Sequence, residues 1–444
     1  MRTVILGAGE SGVGAAVLAQ KQGFEVFVSD SGHIGEAHKQ MLERYGIAWE
    51  ESHHTAERVL QADEVVKSPG IPDTAPVIVA LRERHVPIIS EIELAGRYTD
   101  ARMVCITGSN GKTTTTSLIH HILRKAGMDY GLAGNIGRSL AYQVAEAPRP
   151  GYVIELSSFQ LDNMYDFRAD VAVLLNITPD HLDRYDYCMQ NYVDAKMRIL
   201  RNQRPDDAFI YWLEDEHIGQ ELAKYPAARH LFPFADSPRP VAVGYADGDR
   251  FRLTAPVPFD MPLSALSLPG RHNLRNSLAA ALAALCAGAP ADVVRAGLSD
   301  FPGVEHRLER VCDVDGVHYV NDSKATNVDA CRWALESMTT PVVLIVGGKD
   351  KGNDYSEIVP LVRQKCRALV YLGADNAPLH AAFDGLGLPV ADTDSMAACV
   401  EACAALARPG DTVLLSPCCA SFDLFHNMED RGEQFKSQVR ARLH

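Results

Sequence analysis

Short apolar runs and longer helical patterns alternate along the chain. In the N-terminal part the apolar runs lie at residues 3–6, 25–30, 64–67 and 86–89. Runs this short, separated by segments of helical periodicity, are typical of parallel strands with helices on the faces of the sheet. The N-terminal part is therefore predicted to be an α/β unit.

The same alternation begins again near Arg102 and near Val304. The strand patterns that follow lie at residues 103–106, 152–156 and 169–176, and then at 317–320, 341–346, 368–372 and 412–415. Between the two series, proline-rich residues 208–269 predict short strands and turns, and residues 273–287 predict an alanine-rich helix. We predict an α/β fold with three domains, at residues 1–98, 99–303 and 304–444. The first and the last are expected to be Rossmann-like.

A glycine-rich segment follows the first strand of the second series. It reads Thr107-Gly108-Ser109-Asn110-Gly111-Lys112-Thr113-Thr114. Backbone N–H groups of such a loop bind phosphate, Lys112 can reach the β- and γ-phosphates, and the Thr113 hydroxyl can hold Mg²⁺. The usual G-x-x-x-x-G-K-[ST] spacing is shortened, since Ile106 stands five residues before Gly111. We expect a compact loop that binds a nucleoside triphosphate, in a P-loop ATPase-like central domain. An ordinary Gly-Asn turn is the alternative.

A second glycine pattern, Gly7-x-Gly9-x-x-Gly12, follows the first strand of the chain, and Asp30 ends the next strand. This arrangement is the dinucleotide fingerprint, in which the acidic side chain binds a ribose hydroxyl. The same geometry suits any pyrophosphate-linked nucleotide, so an NAD site, a sugar-nucleotide site and a turn without a ligand all stay open. Ser68-Pro69-Gly70 follows a later strand and either lines the same pocket or forms a turn.

Polar clusters follow several other predicted strands. In the central domain they are Glu155 and the pair Asp180-His181, which we expect at the ligand-binding edge of the sheet, as Mg²⁺ or substrate groups. Lys196 lies in a helical pattern, and its spacing alone predicts a solvated surface lysine. Asn273 opens the alanine-rich helix and could be only its cap. Further clusters lie at residues 306–307, 321–327, 347–351 and 416–423.

Composition excludes several classes of protein. The formal net charge of −14 argues against a nucleic-acid partner. The ten cysteines include no paired C-x-x-C sets, which argues against structural zinc and favours a reducing compartment. No apolar run approaches the length of a transmembrane helix. We expect a cytoplasmic monomer with no membrane span.

Together these motifs resemble the Mur ligase family over essentially the whole chain, and within it the branch that adds D-glutamate. The resemblance is carried by the phosphate loop with its shortened spacing, by His272-Asn273 with Asn276, and by residues 155–161, 180–184, 321–327 and 416–422. It implies an ATP-dependent ligase that joins D-glutamate to UDP-N-acetylmuramoyl-L-alanine through an acyl phosphate, in peptidoglycan precursor synthesis. A sister ligase that adds a different amino acid is the alternative. It further implies ATP, two Mg²⁺ ions and a carbamylated lysine.

The resemblance also implies residue roles. Catalytic roles fall to Lys112, Glu155, His181 and Lys196, and Mg²⁺ is held by Thr113, Glu155, His181 and carbamylated Lys196. ATP is bound by Gly108, Ser109, Asn110, Gly111, Lys112, Thr113, Thr114, Asn273, Asn276, Arg307 and Asp322. The other substrates are bound by Ser11, Asp30, Ser68, Gly70, Asn135, Gln160, His181, Lys324, Thr326, Lys351, Ser421 and Phe422. Two departures from the family pattern stand out: no arginine follows Asp30 near Gly32, and Lys349 competes with Lys351 for one functional position.

Overall fold

The computed structural model describes residues 1–225, 230–350 and 352–443. The chain divides into two compact units. The first unit comprises Met1–Ser267 and Asn273–Phe301, and the second comprises Leu268–His272 and Pro302–His444.

The first sheet of the first unit is parallel throughout. Its strands are β1 (Arg2–Leu6), β2 (Glu25–Ser29), β3 (Ala48–Glu50), β4 (Glu64–Lys67) and β5 (Ile88–Ile89), in the order β3-β2-β1-β4-β5. Its helices are α1 (Glu10–Lys21), α2 (Glu36–Arg44), α3 (Ala56–Val59), α4 (Pro76–Glu83) and α5 (Glu91–Gly96). Strand β1 is central and is covered on both faces, which explains its continuous apolar run. The glycine loop of residues 7–12 therefore begins at the middle of this sheet.

The second sheet of the first unit has nine strands among the described residues. They are β6 (Arg102–Thr107), β7 (Tyr130–Gly134), β8 (Gly151–Glu155), β9 (Val171–Leu174), β10 (Ala208–Trp212), β11 (His230–Phe234), β12 (Gly244–Asp247), β13 (Arg250–Leu253) and β14 (Phe259–Pro262). Its helices are α6 (Lys112–Lys125), α7 (Leu140–Glu146), α8 (Ser158–Leu161), α9 (Met189–Met197), α10 (Glu216–Leu222), α11 (Arg271–Ala287) and α12 (Ala291–Asp300). The order is β14-β13-β12-β11-β10-β9-β6-β8-β7, with β13 antiparallel to both neighbours. Because β6 lies between β8 and β9, the segments that follow these three strands meet at one edge.

In the part of the second unit that the structure describes, the sheet has six strands. They are β15 (Glu309–Val314), β16 (Val317–Asn321), β17 (Val342–Gly347), β18 (Cys366–Leu372), β19 (Val390–Thr393) and β20 (Thr412–Cys418), in the order β15-β16-β20-β17-β18-β19. Only β15 is antiparallel to its neighbour. The helices are α13 (Val328–Ser337), α14 (Val359–Lys365), α15 (Ala377–Phe383), α16 (Met396–Leu406) and α17 (Met428–Arg440). The segments that follow β16, β20 and β17 share one edge, as the sequence predicted.

The predicted α/β class is confirmed, and each of the three predicted domains contains one sheet. The domain boundaries at 98 and 303 stay predictions. The pattern missed strands β3, β15 and β19. It also missed β7, which contains two glycines, and α10, which lies in the stretch predicted as strands and turns. No helix among the described residues combines the length and the apolar composition that a bilayer span requires.

Candidate active site

The phosphate loop lies between β6 and α6 and is fixed by Asn176, which follows β9. The backbone N–H of Ser109 donates to the Asn176 carbonyl (2.9 Å), and that of Asn110 donates to Asn176 Oδ1 (2.9 Å). Asn176 Nδ2 donates in return to the Asn110 carbonyl (3.0 Å). Ser109 Oγ lies 2.8 Å from the Thr178 carbonyl and 3.0 Å from the Tyr192 hydroxyl. The loop is therefore held from the neighbouring strand in a defined conformation.

Two positions of the loop require glycine. Gly111 has φ +87°, and a Cβ atom there would lie 2.3 Å from Asn276 Oδ1. Gly108 has φ +148°, and its Cβ would lie 3.0 Å from that of Leu175. Asn276 therefore packs against the loop, and its Nδ2 donates to Asn273 Oδ1 (3.2 Å). Asn273 is the third residue of α11 and therefore lies inside the helix. The alternative that it is only a helix cap is wrong.

We expect Gly111→Ala to weaken ATP binding by at least about tenfold, since an overpacked contact costs on the order of 1–3 kcal/mol. Titration calorimetry with ATP would measure the change. Gly127→Ala is the matched control, because Gly127 also has a positive φ (+71°) but a Cβ atom there would meet no atom within 4 Å. Equal ATP affinity in the Gly111→Ala and wild-type proteins would contradict the tight contact with Asn276.

Two lysines converge on the Gly108 carbonyl. Lys112 Nζ donates to it (2.9 Å) and to the Ser109 carbonyl (2.8 Å), while Lys196 Nζ donates to it from α9 (2.8 Å). Lys196 is only 1% exposed and lies with its Nζ 4.6 Å from the Tyr192 ring centroid. The surface position predicted for it from spacing is therefore wrong. Burial, together with the charge of Lys112, lowers the pKa of Lys196 well below its usual value.

Glu155 ends β8, in register with Ile106 of β6. It is 1% exposed, and its Oε1 accepts a hydrogen bond from Asn135 Nδ2 (2.9 Å). Its Oε2 is buried and has no hydrogen-bond partner among the described residues. A buried carboxylate oxygen is costly without a partner, and oxygen atoms are the ligands that Mg²⁺ prefers. Glu155 and the buried hydroxyl of Thr113 at the start of α6 therefore fit a Mg²⁺ site.

The other predicted residues of this edge differ in exposure. Thr114 is buried in α6, whereas the His181 side chain is about half exposed and packs edge-on against Phe159, with ring centroids 5.3 Å apart. Gln160 Oε1 accepts from the N–H and the Oγ of Ser157 (both 2.9 Å), which caps α8. Gln160 thus has a structural role, and its amide N–H groups are the part that can serve a substrate.

The N-terminal glycine loop is closed by Asp30. One carboxylate oxygen of Asp30 accepts from the Ala8 N–H (2.7 Å) and the other from the Gly32 N–H (2.8 Å). A Cβ atom on Gly12 would lie 1.9 Å from the Gly7 carbonyl oxygen, so the helix starts in direct contact with the strand. The remaining predicted residues nearby are half-buried Ser11, half-buried Ser68 and exposed Gly70. Ser68 packs against Gly7, where a Cβ would meet its Oγ at 2.5 Å.

In the second unit, Asp322 connects three segments. Its Oδ1 accepts from the Leu308 N–H (3.2 Å) and its Oδ2 from Ser416 Oγ (2.9 Å). Burial raises the pKa of Asp322 to about 7, although the nearby charge of Arg307 opposes the shift. Arg307 is half-buried in the turn that Asp322 holds. These two predicted nucleotide residues therefore lie close together within this unit.

Four of the predicted acceptor residues lie on loops at the same sheet edge of the second unit. Lys324 and Thr326 are half-buried, Ser421 is buried, and Phe422 is 68% exposed. Lys351 lies outside the described residues. Its rival Lys349 is exposed, and its backbone N–H donates to the Ala420 carbonyl (2.8 Å).

Sequence reasoning missed the residues that hold these loops in place. Asn176 and Tyr192 fix the phosphate loop in the first unit. In the second unit the buried guanidinium of Arg431 donates to Ser323 Oγ (3.0 Å), the Ser323 carbonyl (2.8 Å) and the Cys419 carbonyl (3.1 Å). Asn176 could have been suspected, since it directly follows a buried strand, but Tyr192 and Arg431 lie in ordinary helical patterns.

Comparison with known proteins agrees with this geometry. Residues 2–77 match the MurD N-terminal domain, residues 106–284 the Mur ligase middle domain, and residues 306–419 the Mur ligase glutamate ligase domain. The fold is similar to that of UDP-N-acetylmuramate-alanine ligase MurC from Thermotoga maritima, with a TM-score of 0.63 at 19% identity over 99% of both chains. The chain belongs to the Mur ligase family.

The relatives of high sequence identity share the same name. A UDP-N-acetylmuramoylalanine–D-glutamate ligase from Bacteroides thetaiotaomicron is 62% identical over 440 residues, which cover 99% of each chain. An enzyme of the same name from Porphyromonas gingivalis is 56% identical over 98% of each chain.

Proposed function

We propose that this chain is an ATP-dependent ligase that joins D-glutamate to UDP-N-acetylmuramoyl-L-alanine in peptidoglycan precursor synthesis. The observation that carries the proposal is the meeting of the phosphate loop, Glu155 and buried Lys196 at one edge of the central sheet. The high-identity relatives supply the substrate class. An NAD-dependent oxidoreductase would use only residues 7–12 and would leave this edge without a role.

In the proposed reaction, the terminal carboxylate of the UDP-linked substrate attacks the γ-phosphorus of ATP and ADP leaves. The amine of D-glutamate then attacks the acyl phosphate, loses a proton, and inorganic phosphate leaves as the amide forms. Mg²⁺, as two ions, supplies neutralisation of the phosphate oxygens. Lys112 and the backbone N–H groups of the loop hold ATP in line for the attack. Thr113, Glu155 and His181 are the assigned metal-site residues.

Lys196 is assigned a carbamate. Its neutral amine attacks CO₂, a nitrogen–carbon bond forms, and the displaced proton passes to solvent. An ammonium at this position would repel Mg²⁺, whereas a carbamate offers two anionic oxygens. The lowered pKa supports the assignment, because it leaves the amine neutral where an ordinary lysine is protonated.

The other assigned residues fall in both units. Ser11, Asp30, Ser68 and Gly70 are assigned to the uridine end of the sugar nucleotide, and Asn135 and Gln160 to its reacting end. Asn273, Asn276, Arg307 and Asp322 are assigned to the nucleotide of ATP. Lys324, Thr326, Lys351, Ser421 and Phe422 are assigned to the acceptor, whose two carboxylates need cations and hydroxyls. We assign the enzyme to the cytoplasm as a monomer.

Coupling of ATP cleavage to both other substrates tests the proposal. ADP formation is expected to need Mg²⁺ and the UDP-linked substrate, and continued turnover is expected to need D-glutamate. A coupled ADP assay with each component omitted in turn would measure this. Rapid ATP hydrolysis with neither substrate present would count against a ligase.

We expect Lys351→Ala to raise the KM for D-glutamate by at least about tenfold, since it removes a charge-assisted contact to a carboxylate. The KM for ATP should change much less. Lys349→Ala is the matched control, a lysine two residues earlier in the sequence. If Lys349→Ala shows the larger effect instead, the functional lysine is Lys349.

A further inference from the structure

A buried carboxylate outside the assigned site lies at the first position of α5. Glu91 is 4% exposed, and its Oε1 accepts from Ser139 Oγ and from the Ala141 N–H, both at 2.6 Å. Ser139 caps α7, where its Oγ accepts from the Tyr142 N–H (3.1 Å). One carboxylate from the first sheet's helices therefore holds the start of a helix that belongs to the second sheet.

Helix α1 contacts the same serine from another direction. Glu10, its first residue, accepts from the Ser139 N–H through Oε1 (3.1 Å). Gly14 lies one turn further on, and a Cβ there would be 1.9 Å from Ser139 Oγ. The approach is so close that a shift of α1 has to move Ser139. Because α1 begins at Glu10, within the glycine loop of residues 7–12, Ser139 is sensitive to the position of that loop.

Ser139 also ends a short loop whose other end reaches the assigned metal site. Asn135 donates its backbone N–H to the Glu155 carbonyl and its Nδ2 to Glu155 Oε1, both at 2.9 Å. The loop is folded back on β7, and a Cβ on Gly137 would lie 2.5 Å from the Leu132 carbonyl oxygen. Because these close contacts leave the loop little room to move, the position of Ser139 determines the position of Asn135.

We propose that Glu91 is a positioning residue that couples binding of the UDP-linked substrate at residues 7–12 to the placement of Asn135 and Glu155. Glu91 is not one of the residues assigned to a substrate. It acts through Ser139 and the loop of residues 135–139, so the reacting edge is set when the sugar nucleotide is bound. The inference rests on the proposed function, since it takes residues 7–12 as the sugar-nucleotide site.

Substitutions at Glu91 separate positioning from simple loss of stability. Burial raises the pKa of Glu91 to about 7, so its protonated form is populated near neutral pH. Glu91→Gln has the same shape and retains an acceptor oxygen, so it should keep the coupling, whereas Glu91→Ala should lose it. Glu93→Ala is the matched control on the same helix. Glu93 is fully buried and accepts from the N–H groups of Tyr165 and Phe167, both at 3.0 Å, in a different loop.

Hydrogen exchange with UDP-N-acetylmuramoyl-L-alanine alone, without ATP or Mg²⁺, provides the readout. In the wild type, the substrate is expected to slow exchange at residues 7–12 and at residues 135–141. In Glu91→Ala, the substrate should still slow exchange at residues 7–12. The slowing of exchange at residues 135–141 should be about tenfold smaller, because two buried hydrogen bonds are lost. Glu91→Gln and Glu93→Ala should resemble the wild type at 135–141. If Glu91→Ala does not fold, Ser139→Ala is tested in its place. We expect it to reduce the substrate-induced protection of residues 135–141 by a smaller factor.

Kinetics give a second readout: Glu91→Ala should raise the KM for the UDP-linked substrate by about tenfold and that for ATP much less. Protection at 7–12 without protection at 135–141 in the wild type would overturn the coupling. The coupling would also be overturned if Glu93→Ala lost the protection of residues 135–141 to the same extent as Glu91→Ala. If the substrate protects neither segment in the wild type, the proposed sugar-nucleotide site is wrong, and the inference falls with it.

Discussion

Lys196→Ala is expected to lower turnover by about a thousandfold, the effect of removing a preorganised charged group from a site of phosphoryl transfer. Lys196 is fully buried, its Nζ lies 2.8 Å from the Gly108 carbonyl, and α9 contains no second lysine that could replace it. Added acetate or formate should restore part of the activity, because a small carboxylate can take the place of the carbamate oxygens. Steady-state rates with and without the carboxylate would measure the rescue.

Two further substitutions make this test specific. Lys196→Arg should stay inactive, since a guanidinium is always cationic and forms no carbamate. Lys224→Ala should behave as wild type, because Lys224 is exposed and pairs with Glu221. In protein equilibrated with ¹³C-bicarbonate, a carbamate signal that disappears in Lys196→Ala would identify the group directly. A fully active Lys196→Ala enzyme, or no carbamate signal in the wild type, would contradict the assignment.

Lys112→Ala is expected to lower turnover by at least about a hundredfold, comparable to loss of one charge-stabilising donor. Lys112 folds over its own loop, 2.9 Å from the Gly108 carbonyl, where it can turn to the phosphates of ATP. The measurement is kcat and kcat/KM for ATP at saturating levels of the other substrates.

The matched control for Lys112 lies at the far end of the same helix. Lys125 pairs with Asp300 on the surface, and Lys125→Ala should leave kcat unchanged. Near-normal turnover in Lys112→Ala would remove this lysine from the mechanism, and equal losses in both variants would indicate damage to α6 instead.

Much of the fold followed from the sequence because parallel strands covered on both faces are continuous apolar runs. Strands β1, β6 and β17 were predicted within a residue or two for this reason. Strand β7 was missed because its glycines interrupt the apolar run, and α10 because prolines dominate the surrounding stretch. The central site was anticipated because phosphate loops and strand-end carboxylates have local signatures.

The rest of the site depends on contacts between distant segments. Lys196 is an example: its helical pattern gives no sign that one face of α9 packs on the phosphate loop. Tyr192 and Arg431 act in the same way: Tyr192 pairs with Ser109, and Arg431 donates to Ser323, 108 residues away in the sequence. No local pattern encodes such pairs, so the resemblance to a known family, rather than periodicity, pointed to Lys196.

The most direct test of D-glutamate ligation is the stoichiometry of a single reaction. The purified chain would be incubated with ATP, Mg²⁺, UDP-N-acetylmuramoyl-L-alanine and one amino acid at a time, and ADP and the UDP-linked product would be quantified by mass spectrometry. With D-glutamate, one amide is expected for each ADP, and with L-glutamate, L-lysine or diaminopimelate almost none. A faster, equally coupled reaction with another amino acid would instead identify a sister ligase.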